Sequence, residues 1–149
     1  MRPNLLFYGL LWGLLLPAGA SGVLAQHAEP EPVQPVQIVL PSGVRYVDLK
    51  AGTGEEARDG KILEVHYTGW LKDGGTKFDS TQESTEPLTL RLGAGDVIKG
   101  LDEGLVGMKV GGKRRLVIPP ELGFGKEGGG ERIPPDATLI YEVELLAVR

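Results

Sequence analysis

One short stretch, residues 96–105, has the apolar spacing of an α-helix, and little else in the chain has this period. Its apolar side chains are Val97, Ile98, Leu101 and Leu105, which lie three and four positions apart and therefore share one helical face. An isolated helix needs about 12 to 15 residues to be stable in water. This helix must therefore pack its apolar face on a sheet that the rest of the chain supplies.

The sequence also indicates where this helix begins and ends. Asp96 stands in the N-cap position, where its carboxylate can accept hydrogen bonds from the free amides of the first turn. Gly107 follows at a position where a left-handed C-terminal residue is tolerated. We interpret the carboxylates of Asp102 and Glu103 as solvent-facing groups of the helix.

Several segments have the residue types and the flanking turns of β-strands. In the last of them, Leu139, Tyr141, Val143 and Leu145 share one face. Five or six strands against one helix predict an α+β domain, with an antiparallel sheet wrapped around that helix. The loop at residues 119–136 is dense in glycine and proline, and loops this long are uncommon unless they serve a function. The predicted strands cover residues 44–49, 61–71, 76–80, 87–92, 113–118 and 137–146.

Residues 1–25 have the features of a secretory signal peptide: an early arginine, an apolar run at residues 5–16, and small residues after it. The run is shorter than the roughly 20 residues that span a bilayer, and a retained anchor is the alternative. We predict cleavage before Gln26, with an earlier cut near Ala20 as the alternative. Residues 26–37 contain three prolines and are predicted to form an extended linker. The folded domain is then residues 38–149.

The composition argues against several classes of function. With 16 Lys+Arg against 20 Asp+Glu, the chain has no overall positive field to hold nucleic acid. The absence of cysteine excludes disulfides, thiolate catalysis and Cys-based zinc sites. Two histidines, His27 and His66, are too few for a histidine-rich metal site. We therefore predict no cofactor and no metal.

Two glycine-rich matches to phosphate-binding motifs are rejected on their context. Residues 123–128 fit the dinucleotide-binding pattern, but glycines and then two prolines follow where a helix is needed. Residues 107–114 nearly fit the phosphate-loop pattern, but Arg114 stands where Ser or Thr must bind the metal. A metal- or nucleotide-dependent enzyme is thus the least favoured class.

Four separated blocks of sequence resemble the FKBP family of peptidyl-prolyl isomerases. They are Val-His-Tyr-Thr-Gly at 65–69, Phe-Asp-Ser at 78–80, Val-Ile-Lys-Gly-Leu at 97–101 and Ile-Pro-Pro-Asp-Ala-Thr-Leu at 133–139. The resemblance covers residues 40 to 149 and is nearest in layout to the bacterial secreted single-domain forms. It implies a five- or six-stranded antiparallel half-barrel around one short helix, and export across the inner membrane to the periplasm.

The resemblance also implies a proline-binding pocket. By analogy, the backbone amide of Ile98 donates to a bound carbonyl, and the main-chain carbonyl of Asp96 meets macrolide ligands. The implied catalytic residues are Tyr67, Phe78, Asp79, Ile98, Leu101, Phe124 and Tyr141, with the aromatic rings as walls and Leu101 as the floor. The implied substrate-binding residues are Asp96, Val97, Ile133 and Leu88.

At four positions the chain departs from the best-known members of the family. Leu101 stands where many have tryptophan, Phe124 where many have tyrosine, Leu88 where phenylalanine is usual, and Ser84 where an arginine often pairs with the pocket aspartate. An apolar proline pocket is compatible with all four changes. Phe124, however, cannot donate the hydrogen bond to a rapamycin-type ligand that a tyrosine hydroxyl would donate.

The implied activity is rotation of X-Pro bonds in exported proteins, with no covalent intermediate. The implied partners are proline-containing polypeptides and macrolides of the rapamycin type. The alternative is a chaperone-like module that binds proline-containing segments with little turnover.

Overall fold

The computed structural model describes residues 34–149. The predicted signal peptide, residues 1–25, and residues 26–33 of the predicted linker lie outside the described residues. Within residues 34–149, no helix is long and apolar enough to cross a bilayer.

The described chain forms seven β-strands and one short α-helix, which confirms the α+β prediction. All six predicted strands are present. The additional strand β1 was not predicted, because three residues are too few to show an alternating pattern, and its first residue, Gln37, was assigned to the linker. A 3-10 turn, Pro120–Leu122, follows β6. The elements are β1 (Gln37–Val39), β2 (Arg45–Lys50), β3 (Ile62–Leu71), β4 (Lys77–Ser80), β5 (Leu88–Arg91), α1 (Lys99–Gly104), β6 (Lys113–Ile118) and β7 (Leu139–Val148).

The strands form one antiparallel sheet in the order β1-β2-β6-β7-β3. Beyond β3, two short strands share the same edge: β4 pairs with residues 68–70 and β5 with residues 62–65. The ten-residue strands β3 and β7 pair along their whole length, from Leu63 opposite Val148 to Leu71 opposite Leu139. These two long strands therefore form the centre of the sheet.

The core lies between the inner face of the sheet and α1. The predicted inner face of β7 is confirmed, since Leu139, Tyr141, Val143 and Leu145 are each at most 5% exposed. Alternation along the strand places these residues on the same side. Other strands and the helix complete the cluster with Leu63, Val65, Leu90, Leu92, Leu101, Leu105, Leu116 and Ile118.

Two glycines allow α1 to lie directly on β6. A Cβ atom at Gly100 would overlap the side chain of Ile118, and one at Gly104 would overlap Cδ2 of Leu116. Both of these β6 side chains are fully buried, so neither has space to withdraw. The helix can therefore approach the sheet this closely only with glycine at these two positions.

The N-terminus of α1 differs from the prediction in two respects. Ile98, not Asp96, is the N-cap residue, and no side chain caps the helix. The Asp96 carboxylate instead accepts a hydrogen bond from the backbone N–H of Arg91 at 2.9 Å. The interpretation of Asp102 as solvent-facing was also wrong, because its carboxylate accepts from the N–H groups of Gly93 at 3.1 Å and Gly95 at 3.0 Å. Asp96 and Asp102 thus stabilise the turn before the helix.

The C-terminus of α1 is held by a buried arginine. Nη1 of Arg114 donates to the carbonyl oxygens of Gly104 at 2.8 Å and Val106 at 3.1 Å, which lie at the end of the helix. Its Nε donates to Asp48 at 2.6 Å, and its guanidinium stacks 3.9 Å above the ring of Tyr46. Arg114 therefore supplies donors to carbonyls that have no partner within the helix. Gly107, with φ of +87°, has the predicted left-handed conformation.

We expect Gly104→Ala to destabilise the protein, although alanine has a higher helix propensity than glycine. Alanine is favoured over glycine by about 1 kcal/mol in a helix interior, whereas overpacking a well-filled core costs about 1 to 3 kcal/mol. The alanine Cβ would lie 1.9 Å from Cδ2 of Leu116, so the upper part of this packing cost applies, and we expect a net loss of about 1 to 2 kcal/mol in the free energy of unfolding, measured in urea. Lys99→Ala, at an exposed position of the same helix, is the control and should change stability little. A Gly104→Ala variant as stable as the parent would contradict the packing argument.

Candidate functional site

Three strands bring three aromatic rings into contact at one end of the core. Tyr67 lies on β3, Phe78 on β4 and Tyr141 on β7. The ring centroids of Tyr67 and Tyr141 are 5.9 Å apart and tilted by 50°, and those of Phe78 and Tyr141 are 5.6 Å apart in an edge-to-face arrangement. Both distances lie in the favourable range for aromatic pairs. The structure therefore brings these three predicted site residues together.

Gly69 on β3 makes room for two of these rings. A Cβ atom there would lie 2.6 Å from Cζ of Phe78 and 3.0 Å from Cε1 of Tyr141. This role of Gly69 was not predicted. The available signal was a glycine inside a long strand, which often marks the close approach of another group.

A cleft of about 510 Å³ opens beside the rings of Phe78 and Tyr141. Its other wall belongs to the loop after β6, from which Phe124 and Ile133 contribute side chains. Phe78, Ile133 and Tyr141 are at most 6% exposed, whereas Phe124 is 36% exposed. The predicted residues at the cleft are thus apolar and mostly buried, apart from Asp79. The remaining lining residues are Gly129, Gly130, Glu131 and Arg132.

A larger groove, of about 630 Å³, lies beside α1, and its lining includes Tyr46, Lys99 and Val106. It contains a single aromatic ring and none of the residues that the family resemblance implies. The smaller cleft, which combines the buried rings, is therefore the candidate site.

Asp79 is joined to the aromatic cluster by a hydrogen bond. The Tyr67 hydroxyl donates to Oδ2 of Asp79 at 2.6 Å, and the backbone N–H of Ser80 donates to Oδ1 at 2.9 Å. Burial raises the pKa of the Tyr67 hydroxyl above its usual value, and the hydrogen bond and negative charge of Asp79 raise it further. Burial also raises the pKa of Tyr141, with smaller contributions from Tyr67 and Asp79. Both phenols therefore remain neutral at physiological pH.

The other predicted residues do not line this cleft. Leu101 is buried in the core, and Leu88, Val97 and Ile98 are half-buried against it, in the same cluster that contains Phe78, Ile133 and Tyr141. Asp96 is exposed in the turn before α1.

Ile98 is the N-cap of α1, and its carbonyl accepts from the N–H groups of Leu101 at 3.0 Å and Asp102 at 3.1 Å. Among the hydrogen bonds of residues 34–149, none uses the Ile98 amide itself. This amide is therefore free to donate to a ligand.

Arg132 was not predicted as a site residue. Its Nη1 donates to the backbone carbonyl oxygen of Phe78 at 3.1 Å. The sequence contains no signal for this contact, because an exposed charge in a glycine-rich loop is ordinarily solvated.

Residues 53–146 match the family model for FKBP-type peptidyl-prolyl cis-trans isomerases. A protein from Neisseria meningitidis serogroup B, named FK506-binding protein, is 59% identical over 106 residues, which are 71% of this chain and 96% of the relative. The mouse peptidyl-prolyl cis-trans isomerase FKBP2 is 42% identical over 139 residues, which are 93% of this chain and 94% of the relative.

Solved structures of the same kind have similar folds. The crystal structure of AtFKBP13 has a TM-score of 0.71 at 39% identity, covering 76% of this chain and 99% of that one. FkpA from Escherichia coli has a TM-score of 0.68 at 40% identity, covering 86% of this chain and 56% of that one. The family match, the sequence relatives and the solved structures all indicate the same family. The chain belongs to the FKBP-type peptidyl-prolyl cis-trans isomerases.

Proposed function

We propose that this protein accelerates the rotation of X-Pro bonds in exported polypeptides by holding them in the desolvated aromatic cleft. The observation that carries the proposal is the contact of the Phe78 and Tyr141 rings beside the cleft. These rings are 6% and 5% exposed, so most of their surface is packed in the core and only the part that faces the cleft can contact a proline side chain.

The proposed mechanism uses solvation and not covalent chemistry. Rotation about a peptide bond has a barrier of about 18 to 20 kcal/mol, because the resonance of the amide must be broken. The planar amide is more dipolar at its oxygen than the twisted one, so it gains more from contact with water. An apolar cleft therefore disfavours the planar ground state more than the twisted transition state, which lowers the barrier between them.

Each part of the site has a role in this mechanism. Phe78 and Tyr141 exclude water from the sheet side of the cleft, and Phe124 and Ile133 exclude it from the loop side. The Ile98 amide does not line the cleft, so its proposed bond to a substrate carbonyl, which holds the substrate chain in a turn, requires a segment that extends from the cleft to the start of α1. Leu101, Val97 and Leu88 belong to the same hydrophobic cluster as the rings, and their proposed role is to support the positions of the rings.

We further propose that the cleft binds macrolides of the rapamycin type. The support is the Neisseria relative, which is named as an FK506-binding protein, and the apolar side chains of Phe78, Phe124, Ile133 and Tyr141 at the cleft. The main-chain carbonyl of Asp96 is the proposed polar contact for such a ligand. Phe124 contributes apolar contact only, since it has no hydroxyl to donate.

The chaperone-like alternative uses the same cleft but predicts binding without acceleration. A proline-containing tetrapeptide separates the two functions, because its binding and its cis-trans isomerisation can be measured independently. The uncatalysed reaction takes tens to hundreds of seconds at 25 °C, so acceleration is readily observed. Binding of the peptide by the parent protein with no change in the isomerisation rate would favour the chaperone-like function.

We expect Phe78→Ala and Tyr141→Ala each to lower kcat/KM for the tetrapeptide by about tenfold or more, since each opens the apolar wall to water. A tenfold change corresponds to about 1.4 kcal/mol of transition-state stabilisation, which is less than the full burial of one aromatic ring provides. Leu49→Ala, at a 44% exposed position on β2, is the control and should leave kcat/KM unchanged. Equal activity of all four proteins would contradict the proposed site.

We expect Asp79→Leu to lower kcat if the carboxylate stabilises the twisted amide electrostatically, by about tenfold for a partly exposed charge. Tyr67→Phe is the matched variant, because it removes the hydrogen bond to Asp79 but keeps the carboxylate. If kcat decreases in Asp79→Leu alone, the effect is assigned to the charge of Asp79. If kcat decreases similarly in Asp79→Leu and Tyr67→Phe, the effect is assigned to the hydrogen-bonded pair of Tyr67 and Asp79. Unchanged activity of Asp79→Leu would remove the electrostatic hypothesis.

We also propose that residues 1–25 direct export and that the mature protein acts in the periplasm. The full-length chain, expressed in a Gram-negative host, is expected in the periplasmic fraction with an N-terminus at Gln26, as determined by N-terminal sequencing. A chain without residues 2–25 is the control and should remain in the cytoplasm. Recovery of the uncleaved chain from the cytoplasm or the membrane would contradict the proposal.

A further inference from the structure

The loop that forms the second wall of the cleft is held mainly by bonds to itself. Within residues 123–136, Gly128 N–H donates to Phe124 O at 3.2 Å, and Gly129 and Ile133 exchange backbone hydrogen bonds of 2.9 and 3.2 Å. The N–H of Asp136 donates to Gly125 O at 2.9 Å. Three glycines and Asp136 have positive φ angles, so the shape of the loop depends on residues that tolerate this conformation.

A single hydrogen bond joins this loop to the sheet. Among the hydrogen bonds of residues 34–149, the one from Nη1 of Arg132 to the carbonyl oxygen of Phe78 connects residues 123–136 to another strand. β4 pairs with β3 alone. Arg132 thus supplies a donor to a carbonyl of an edge strand, where the ladder offers no second partner.

The bond connects the two walls of the cleft at the site itself. Phe78, whose carbonyl accepts the bond, also contributes its ring to the sheet side, and Asp79 follows it on β4. Ile133, next to Arg132, contributes a buried side chain to the loop side. The bond therefore fixes one point of the loop wall against β4.

We propose that Arg132 is a positioning residue that holds the cleft in the shape that binds the proline segment. This inference rests on the proposed function of the cleft. Arg132 fastens the loop wall to β4 and does not act on the rotating bond. In its absence the loop samples positions in which the walls are further apart, and only the fraction of molecules with the closed cleft binds substrate.

Kinetics of Arg132→Met test the proposal on the full mature chain with a proline tetrapeptide. Apparent affinity falls in proportion to the fraction of closed molecules, so we expect KM to rise about 3- to 10-fold. We expect kcat to change by less than about twofold, because the bound complex retains the same closed cleft.

Arg132→Lys keeps a charged donor and should recover at least half of the lost affinity. Lys126→Met removes an exposed charge from the same loop and breaks no side-chain hydrogen bond of residues 34–149. Its KM should match that of the parent protein.

An NMR measurement on the same variants reports the bond without using activity. The carbonyl of Phe78 and the nitrogen of Asp79 belong to one peptide group, so loss of the Arg132 bond should shift the backbone ¹⁵N resonance of Asp79. We expect this shift in Arg132→Met and not in Lys126→Met. Unfolding in urea, compared for all variants, shows whether any kinetic change comes from loss of folding.

The outcomes separate this proposal from the proposed function. An inactive parent protein would overturn the proposed function, and the NMR result would still show whether Arg132 bonds to Phe78. An active parent with an unchanged KM in Arg132→Met would overturn the positioning role. A fall in kcat with an unchanged KM would also overturn it, because the residue would then act on the rotating bond. Failure of Arg132→Lys to recover affinity would show that a charged donor is not what the site requires.

Discussion

The antiparallel pairing of β3 with β7 is the interaction on which the rest of the structure depends. Its register places Gly69 opposite Tyr141 and Tyr67 opposite Val143. A shift of one residue would turn every side chain of one strand to the other face, and would move Tyr141 out of the core. The pairing of β4 with the other edge of β3 sets where Phe78 and Asp79 lie. The aromatic cluster is therefore a consequence of two strand pairings that share β3.

The second constraint is the close approach of packed elements, which glycine residues permit in two places. Gly100 and Gly104 let α1 rest on β6, and Gly69 leaves space for the rings of Phe78 and Tyr141. At the end of α1, the buried Arg114 offsets its desolvation with bonds to Asp48 and to two helix carbonyls. Close packing of the core thus positions the helix whose N-cap residue, Ile98, has the free amide.

The candidate site combines a rigid wall and a glycine-rich wall. The sheet side is fixed by a hydrogen-bonded ladder and by buried rings, whereas the loop side has few bonds outside itself. Binding and catalytic residues often lie on loops that a rigid scaffold positions, and this cleft has that arrangement. Its chemistry requires apolar surface and a few oriented polar groups, which the family's isomerase activity also requires.

The sequence alone determined six of the seven strands of residues 34–149, which face of β7 is buried, and which family the residues resemble. Those features are local periodicities and short motifs, so they can be recognised without knowing where distant segments lie. The tertiary structure decided the rest. Asp96 bonds to Arg91 and not to the helix, Asp102 caps a turn, Gly69 makes space for two rings, and Arg132 reaches Phe78. Each of these depends on the distance between parts of the chain that only the packed sheet brings together.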